Sequence, residues 1–131
     1  MFKRAREIAT EQPYSKHLGI ELVELEQDRT VLKLPYREEL GLDRVNGGAI
    51  SSLIDLAATS AFWSHPTITD NSRGATVSLT VNFLRLSIAT DLRAFAKVRR
   101  RGGTICVGEV SVCDIDHEEV AFASVTYKLE P

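Results

Sequence analysis

The sequence has few of the residues that would announce an oxidising compartment, a metal centre or a nucleic-acid partner. Only two cysteines are present, and Cys106 and Cys113 fall in one predicted strand at an odd separation. Their side chains therefore point to opposite faces and cannot bridge each other, which fits reduced core thiols in a cytoplasmic protein. The three histidines, His17, His65 and His117, are scattered among predicted loops without metal-ligand spacing, so no metal is expected. No Gly-x-Ser-x-Gly occurs, which argues against a serine hydrolase, and no glycine loop of the P-loop or dinucleotide type is present. No window reaches the roughly 18 uninterrupted apolar residues of a membrane span, and the charged start MFKRAREIATEQPYSKH lacks the apolar region of a secretion signal. A formal net charge of -2 gives no electrostatic case for nucleic acid.

What is present suits a globular chain: 44% hydrophobic and 26% charged residues over 131 positions, enough for a single domain with a sizeable core. Residues 2–11, FKRAREIATE, place Phe2, Ala5, Ile8 and Ala9 at helical spacing before Pro13, which predicts a short peripheral helix followed by a linker to residue 17. From Ile20 the period changes. IELVELE and TVLKLPY alternate apolar and polar residues around the turn QDR and predict a hairpin, and residues 37–46 read as a polar loop. Gly47 to Trp63 form the one long helix candidate, ended by Pro66 and the loop TITDNSRG. The remainder reads as strands in antiparallel succession: ATVSLTVNFLRL, DLRAFAKVRR, TICVGEVSVCDI and EVAFASVTYKL, with GG at 102–103 and DHE at 116–118 as turns. A helix that is apolar on nearly every side needs burial round most of its circumference, which a curled antiparallel sheet supplies. The expected fold class is α+β, a long central helix wrapped by about six antiparallel strands with a short N-terminal helix.

That helix contains one carboxylate, Asp55. At about 100° per residue, Ser51 and Thr59 lie about 40° to either side of it and Ser52 about 60° away, so the polar residues make one narrow stripe. A buried carboxylate without a partner is costly or takes up a proton; Asp55 is therefore either paired, with Ser51 or a neighbouring strand, or functional. Asn46 followed by Gly47 and Gly48 makes a good helix start by itself, since Asn is a strong N-cap and glycine turns sharply. The same glycines also leave the first N–H groups bare for a developing oxyanion at the positive end of the helix dipole.

Together, VNGGAISSLID, GATVSLTVNFLRL and RRRGGTICVGEVSVCDIDHEEVAFASVTYKL resemble the hotdog-fold acyl-coenzyme A thioesterases, in particular the phenylacetic-acid-degradation subfamily. The likeness runs from Leu18 to Leu129. The family pattern has His-Gly-Gly at the helix start, an Asp or Glu nine residues after the His, and a strand that begins with Thr or Ser and ends in an FLRP-like turn. The resemblance implies Asp55 as the catalytic acid, either a general base on water or a nucleophile that forms an acyl-enzyme anhydride. It implies Gly47 as the oxyanion-hole amide and Thr76 as the strand hydroxyl that positions the water. The substrate implied is an acyl-coenzyme A with an aryl or medium-chain acyl group; coenzyme A is then part of the substrate and no separate cofactor is called for. The sequence departs from the pattern twice, with Asn46 in place of His and Leu86 in place of Pro. An Asn amide still donates a hydrogen bond to a thioester carbonyl, but it is not ionisable. That difference keeps open a second reading, a non-catalytic acyl-coenzyme A-binding hotdog protein.

Gly47 and Asp55 lie about 12 Å apart along the helix at roughly 1.5 Å per residue, too far for one carbonyl to meet both. If the Gly47 amide polarises the carbonyl while Asp55 acts on its carbon or on a water, the two groups come from different chains. Antiparallel helices across a two-fold axis would supply them, so a homodimer with two equivalent sites is expected. The resemblance adds a pairing of dimers into tetramers. Gly48 and Ser51 adjoin these groups and are candidates for substrate contact. Arg100 and Arg101 in KVRRRGG, and Arg85, are candidates for the phosphates of coenzyme A, although a solvated strand end explains an arginine run equally well.

Overall fold

The alternation that begins at Ile20 does become sheet. The computed structural model describes residues 1–131 and contains β1 (Glu21–Glu26), β2 (Arg29–Leu34), β3 (Arg73–Phe83), β4 (Leu92–Arg101), β5 (Ile105–Cys113) and β6 (Glu119–Glu130). They form one six-stranded sheet in the order β1-β2-β4-β5-β6-β3, with every neighbouring pair antiparallel. The two turns read after the helix hold. Gly102 donates to the Ile105 carbonyl at 2.9 Å between β4 and β5. Between β5 and β6, Asp114 Oδ1 accepts from the amides of Asp116 and Glu118 at 2.9 and 3.0 Å, an Asx-type turn.

The strands after the helix do not, however, follow one another across the sheet. β3 pairs with β6 rather than β4 and so becomes an edge strand. Residues 84–91 contain no tight turn that would fold the chain back beside β3. Instead Leu84 donates to the Val120 carbonyl at 2.8 Å, Val45 to Ser87 at 2.9 Å and Ala89 to Asp43 at 3.1 Å, which carries the chain across the end of the sheet.

The N-terminal segment is also more structured than one peripheral helix and a linker. A first helix, α1 (Lys3–Arg6), runs into a π turn at Glu7–Glu11, and a second, α2 (Pro13–Leu18), follows. Pro13 ends the first and begins the second, because the N–H it lacks has no helical partner at the first position of a helix anyway. The buried Ser15 hydroxyl donates to the Ile8 carbonyl at 2.7 Å and ties the two pieces together. Ala5, Ile8 and Ala9 are buried in the common core.

The long helix, α3, spans Gly47–Trp63 and buries Ile50, Leu53, Ile54, Ala57, Ala58, Ala61, Phe62 and Trp63. Asn46 caps it: its side-chain Oδ1 accepts from the Gly48 amide at 2.7 Å. The last turn of the helix packs closely on the sheet. There Phe62 stacks on Tyr127 with centroids 5.1 Å apart, and Trp63 Nε1 donates to the Tyr127 hydroxyl at 2.8 Å. Two glycines make this approach possible. A Cβ on Gly108 would stand 3.0 Å from the Phe62 ring, and one on Gly74 would stand 2.5 Å from the Tyr127 ring. Burial round the whole helix is not reached: Ser51, Ser52, Asp55 and Thr59 remain half-buried, because the sheet and the N-terminal helices leave the polar stripe uncovered. Gly74→Ala should destabilise the fold by about 1–3 kcal/mol through overpacking against Tyr127. Chemical denaturation measures this, and a midpoint equal to wild type would contradict the packing described.

Candidate active site

The start and the middle of α3 carry different chemistry. At the start, Asn46 is extended (φ -61°, ψ 138°) and its carbonyl accepts from Ala49 and Ile50, while its side chain takes the Gly48 amide. The Gly47 N–H is then the remaining donor of the first turn without an acceptor in the chain. Asn46, Gly47 and Gly48 are all exposed. With Oδ1 of Asn46 committed to the Gly48 amide, its exposed NH₂ is left without an acceptor in the chain.

Two turns on, the half-buried Asp55 accepts a hydrogen bond from Thr76 Oγ1 at 2.7 Å. Thr76 gives its proton to the carboxylate, so it orients Asp55 directly. No cation lies within ion-pair distance of Asp55. The pair opens into a cleft of about 410 Å³ whose far wall includes Glu7 and Gln12 of the N-terminal segment, with Trp63 and Tyr127 at its inner end. Burial pushes the Tyr127 phenol pKa up, the hydrogen bond from Trp63 opposes this, and the negative charge of Asp55 raises it further. Tyr127 is therefore a neutral hydroxyl at the edge of the site.

One strand touches both the start and the middle of the helix. β3 runs opposite to α3, with Thr76 against Asp55 and the Phe83 ring 3.4 Å from where a Gly47 Cβ would be. Thr76 and Phe83 are an odd number of residues apart and would face opposite sides of a regular strand. The register shift between Thr76 and Ser78 inserts one residue, and that bulge brings both onto the helix side.

The remaining residues singled out in the sequence are spread more widely. Gly48 sits in the cap, and Ser51 lies on the stripe one turn before Asp55. Arg85 is exposed and pairs with Glu118 at 3.2 Å. Arg100 is exposed and has no acidic partner. Arg101 is largely buried and occupied by partners within the chain. Its guanidinium pairs with Asp28 at 2.7 Å and donates to the Phe62 and Ala61 carbonyls at 2.9 and 3.3 Å, closing the C-terminus of α3. Phe62 is wholly buried and leaves the depth of the cleft to Trp63 and the N-terminal helices. Sequence reasoning found the first of those helices from its apolar spacing but took it as peripheral, and it missed the second because Pro13 was read as a stop. It also missed Tyr127, which the alternation of β6 places on the inner face.

The family model described as "Thioesterase superfamily" matches residues 42–121, a span that includes the cap, Asp55 and Thr76. The chain belongs to the thioesterase superfamily. A protein of Saccharolobus solfataricus designated an esterase is 32% identical over 120 residues, covering 88% of this chain and 78% of that one. A solved thioesterase family protein from Silicibacter pomeroyi superposes with a TM-score of 0.87 at 25% identity, over 97% of this chain and 96% of the other. The E. coli PaaI protein of the phenylacetic acid degradation operon has a TM-score of 0.86 at 21% identity, over 99% of this chain and 93% of its own, and shares the fold. The helix-on-curled-sheet architecture is thus the hotdog fold of thioesterases, and the superfamily's chemistry is thioester hydrolysis. Within this thioesterase, Arg101→Ala should cost about 1.5–3 kcal/mol of stability, the worth of charged hydrogen bonds lost at a helix end. Thermal denaturation reads this; unchanged stability together with a raised KM would instead make Arg101 a substrate contact.

Proposed function

We propose that the protein hydrolyses acyl-coenzyme A thioesters at two equivalent sites of an antiparallel homodimer. The observation that carries this reading is the alignment of β3, an edge strand with its outer side unpaired, which joins the Asp55–Thr76 pair at one end to the free Gly47 N–H at the other. A long exposed edge with apolar side chains is a template for another strand. Val77 and Phe83 of β3 are 58% and 52% exposed. Pairing β3 with its copy across a two-fold would bring each Gly47 to the partner's Asp55, provided that Thr76 lies opposite the partner's Phe83. With the bulge counted, that register places Leu79 opposite the partner's Val81 and Thr80 opposite itself.

In such a site Thr76 holds one oxygen of Asp55 and leaves the other to a water. Asp55 takes the proton as the water oxygen bonds to the thioester carbon, and the negative charge moves to the carbonyl oxygen. The partner's Gly47 N–H and Asn46 amide, at the positive end of the partner's helix, stabilise that oxyanion. Collapse breaks the carbon–sulfur bond, and the proton passes from Asp55 to the departing thiolate. Direct attack by Asp55 through an anhydride uses the same donors. The cleft of about 410 Å³ is of a size that takes an aryl or medium-chain acyl group. Exposed Arg100, which has no acidic partner, is a guanidinium for the coenzyme A phosphates.

Steady-state kinetics over a panel of acyl-coenzyme A thioesters tests the chemistry. Asp55→Ala should lower kcat/KM by about 10²–10⁴, the usual worth of a general base; an unchanged rate would sink the role. Asn46, which carries no ionisable group, favours one rival: tight binding of acyl-coenzyme A without turnover would identify a binding protein. The two-chain geometry has a separate test. Directly opposed residues of antiparallel strands have Cβ atoms about 4.5–5.5 Å apart, so Thr80→Cys should crosslink to itself with a short bifunctional thiol-alkylating reagent while wild type does not. A monomer by light scattering at micromolar concentration would contradict it.

A further inference from the structure

The N-terminal helices make a contact for which the hydrolytic steps have no use. Tyr14 of α2 is 55% exposed, yet its side chain reaches across to α3 and places its hydroxyl 2.7 Å from Ser52 Oγ. Ser52 donates its own proton to the Gly48 carbonyl at 2.9 Å, one turn back. The Ser52 oxygen is left to accept, which makes Tyr14 the donor. Ser52 stands one turn before Asp55 on the same polar stripe. The Tyr14 hydroxyl is therefore pinned between the free helix N-terminus and the Asp55–Thr76 pair. Gln12, two residues before Tyr14, already lines the cleft together with Asp55.

We propose that Tyr14 is a specificity-determining residue: its ring, pinned to Ser52, blocks the path along the stripe from the Asp55 cleft towards the helix N-terminus and so limits the length of acyl chain admitted. The proposal rests on the thioesterase reading above and names what selects among its substrates. The stripe has β3 on one side, through Thr76, and the N-terminal helices on the other. On α3 the cleft is lined by Asp55, Leu56, Thr59 and Trp63; an acyl chain that outgrows it and runs back along the stripe towards Gly48 meets the Tyr14 ring. Each methylene that a pocket accepts or refuses changes kcat/KM by about 10–200-fold. Loss of the ring should therefore alter the relative rates of long and short substrates rather than their common rate. Tyr14→Phe and Ser52→Ala both remove the pin while keeping the ring, so they should resemble each other.

The experiment measures kcat/KM of wild type, Tyr14→Ala, Tyr14→Phe and Ser52→Ala on straight-chain acyl-coenzyme A thioesters of increasing length. In Tyr14→Ala the ratio of long-chain to short-chain kcat/KM should rise about tenfold or more. Tyr14→Phe and Ser52→Ala should each raise it by a smaller and matching factor. An unchanged ratio, or an equal loss on every substrate, overturns the proposal and leaves the thioesterase reading standing. Hydrolysis of no thioester by wild type overturns both. If thermal denaturation shows Tyr14→Ala unfolded, the two pin-removing variants decide the matter: a matched rise supports the proposal, and no rise ends it.

Discussion

The hydrogen bond from Thr76 to Asp55 fixes how an edge strand lies along a helix, and the rest of the site follows from that alignment. Because β3 runs opposite to α3, a contact at one end dictates the contact at the other. Phe83 falls on Gly47 only because the bulge after Thr76 restores the inward face. A regular strand would turn either the hydroxyl or the ring away from the helix. The bulge is thus a geometric requirement for one strand to serve both helix positions, in keeping with the frequent occurrence of bulges beside functional groups.

The neighbourhood of Asp55 is polar but offers no counter-charge. The nearest arginine of the cleft, Arg4, lies over the Trp63 ring at 4.8 Å and donates to the Thr69 and Asp70 carbonyls at 3.2 and 3.4 Å. Arg101, at the far end of the helix, is held by Asp28 and backbone carbonyls. Tyr127, whose pKa burial and the Asp55 charge raise, adds a neutral hydroxyl and no positive charge. The carboxylate consequently faces the cleft with one oxygen oriented by Thr76 and no salt bridge to compete for the other. A strong ion pair at this position would hold the carboxylate in place of a substrate water.

The helix was legible in the sequence because its signals are local. The Asn46 cap and Pro66 bracket it, and the structure gives Gly47–Trp63. The strands and hairpin turns were legible for the same reason: alternation and turn residues act within a few positions. What the sequence did not show depends on distant partners. The place of β3 beside β6 is decided by which sheet edge remains free, and residues 84–91 carry no mark of it. Arg101 sits in an arginine run, and only the folded chain brings Asp28 and the last carbonyls of α3 to it. Pro13 was ambiguous in itself, because proline both ends a preceding helix and favours the first position of the next. At the site, the acid and the glycines were visible as an anomaly in an apolar helix, whereas Tyr14 and Tyr127 gained meaning only from tertiary contacts.

Asn46 shows how one side chain can serve both structure and chemistry in the proposed site. A helix start needs an acceptor for an early amide, and a polarised carbonyl needs a donor. Asn supplies the acceptor through Oδ1, bonded to Gly48 at 2.7 Å, and its exposed NH₂ is left without an acceptor in the chain. An imidazole in the same place would divide these duties according to its protonation state, whereas the amide performs both without titrating. The Gly47 N–H stays free because the cap takes the amide after it. The local rule that makes Asn a good cap therefore also assembles two adjacent donors at the positive end of α3. A second copy paired along β3 would then cover the half-buried stripe that the single chain leaves open, excluding water where those donors and Asp55 meet a thioester.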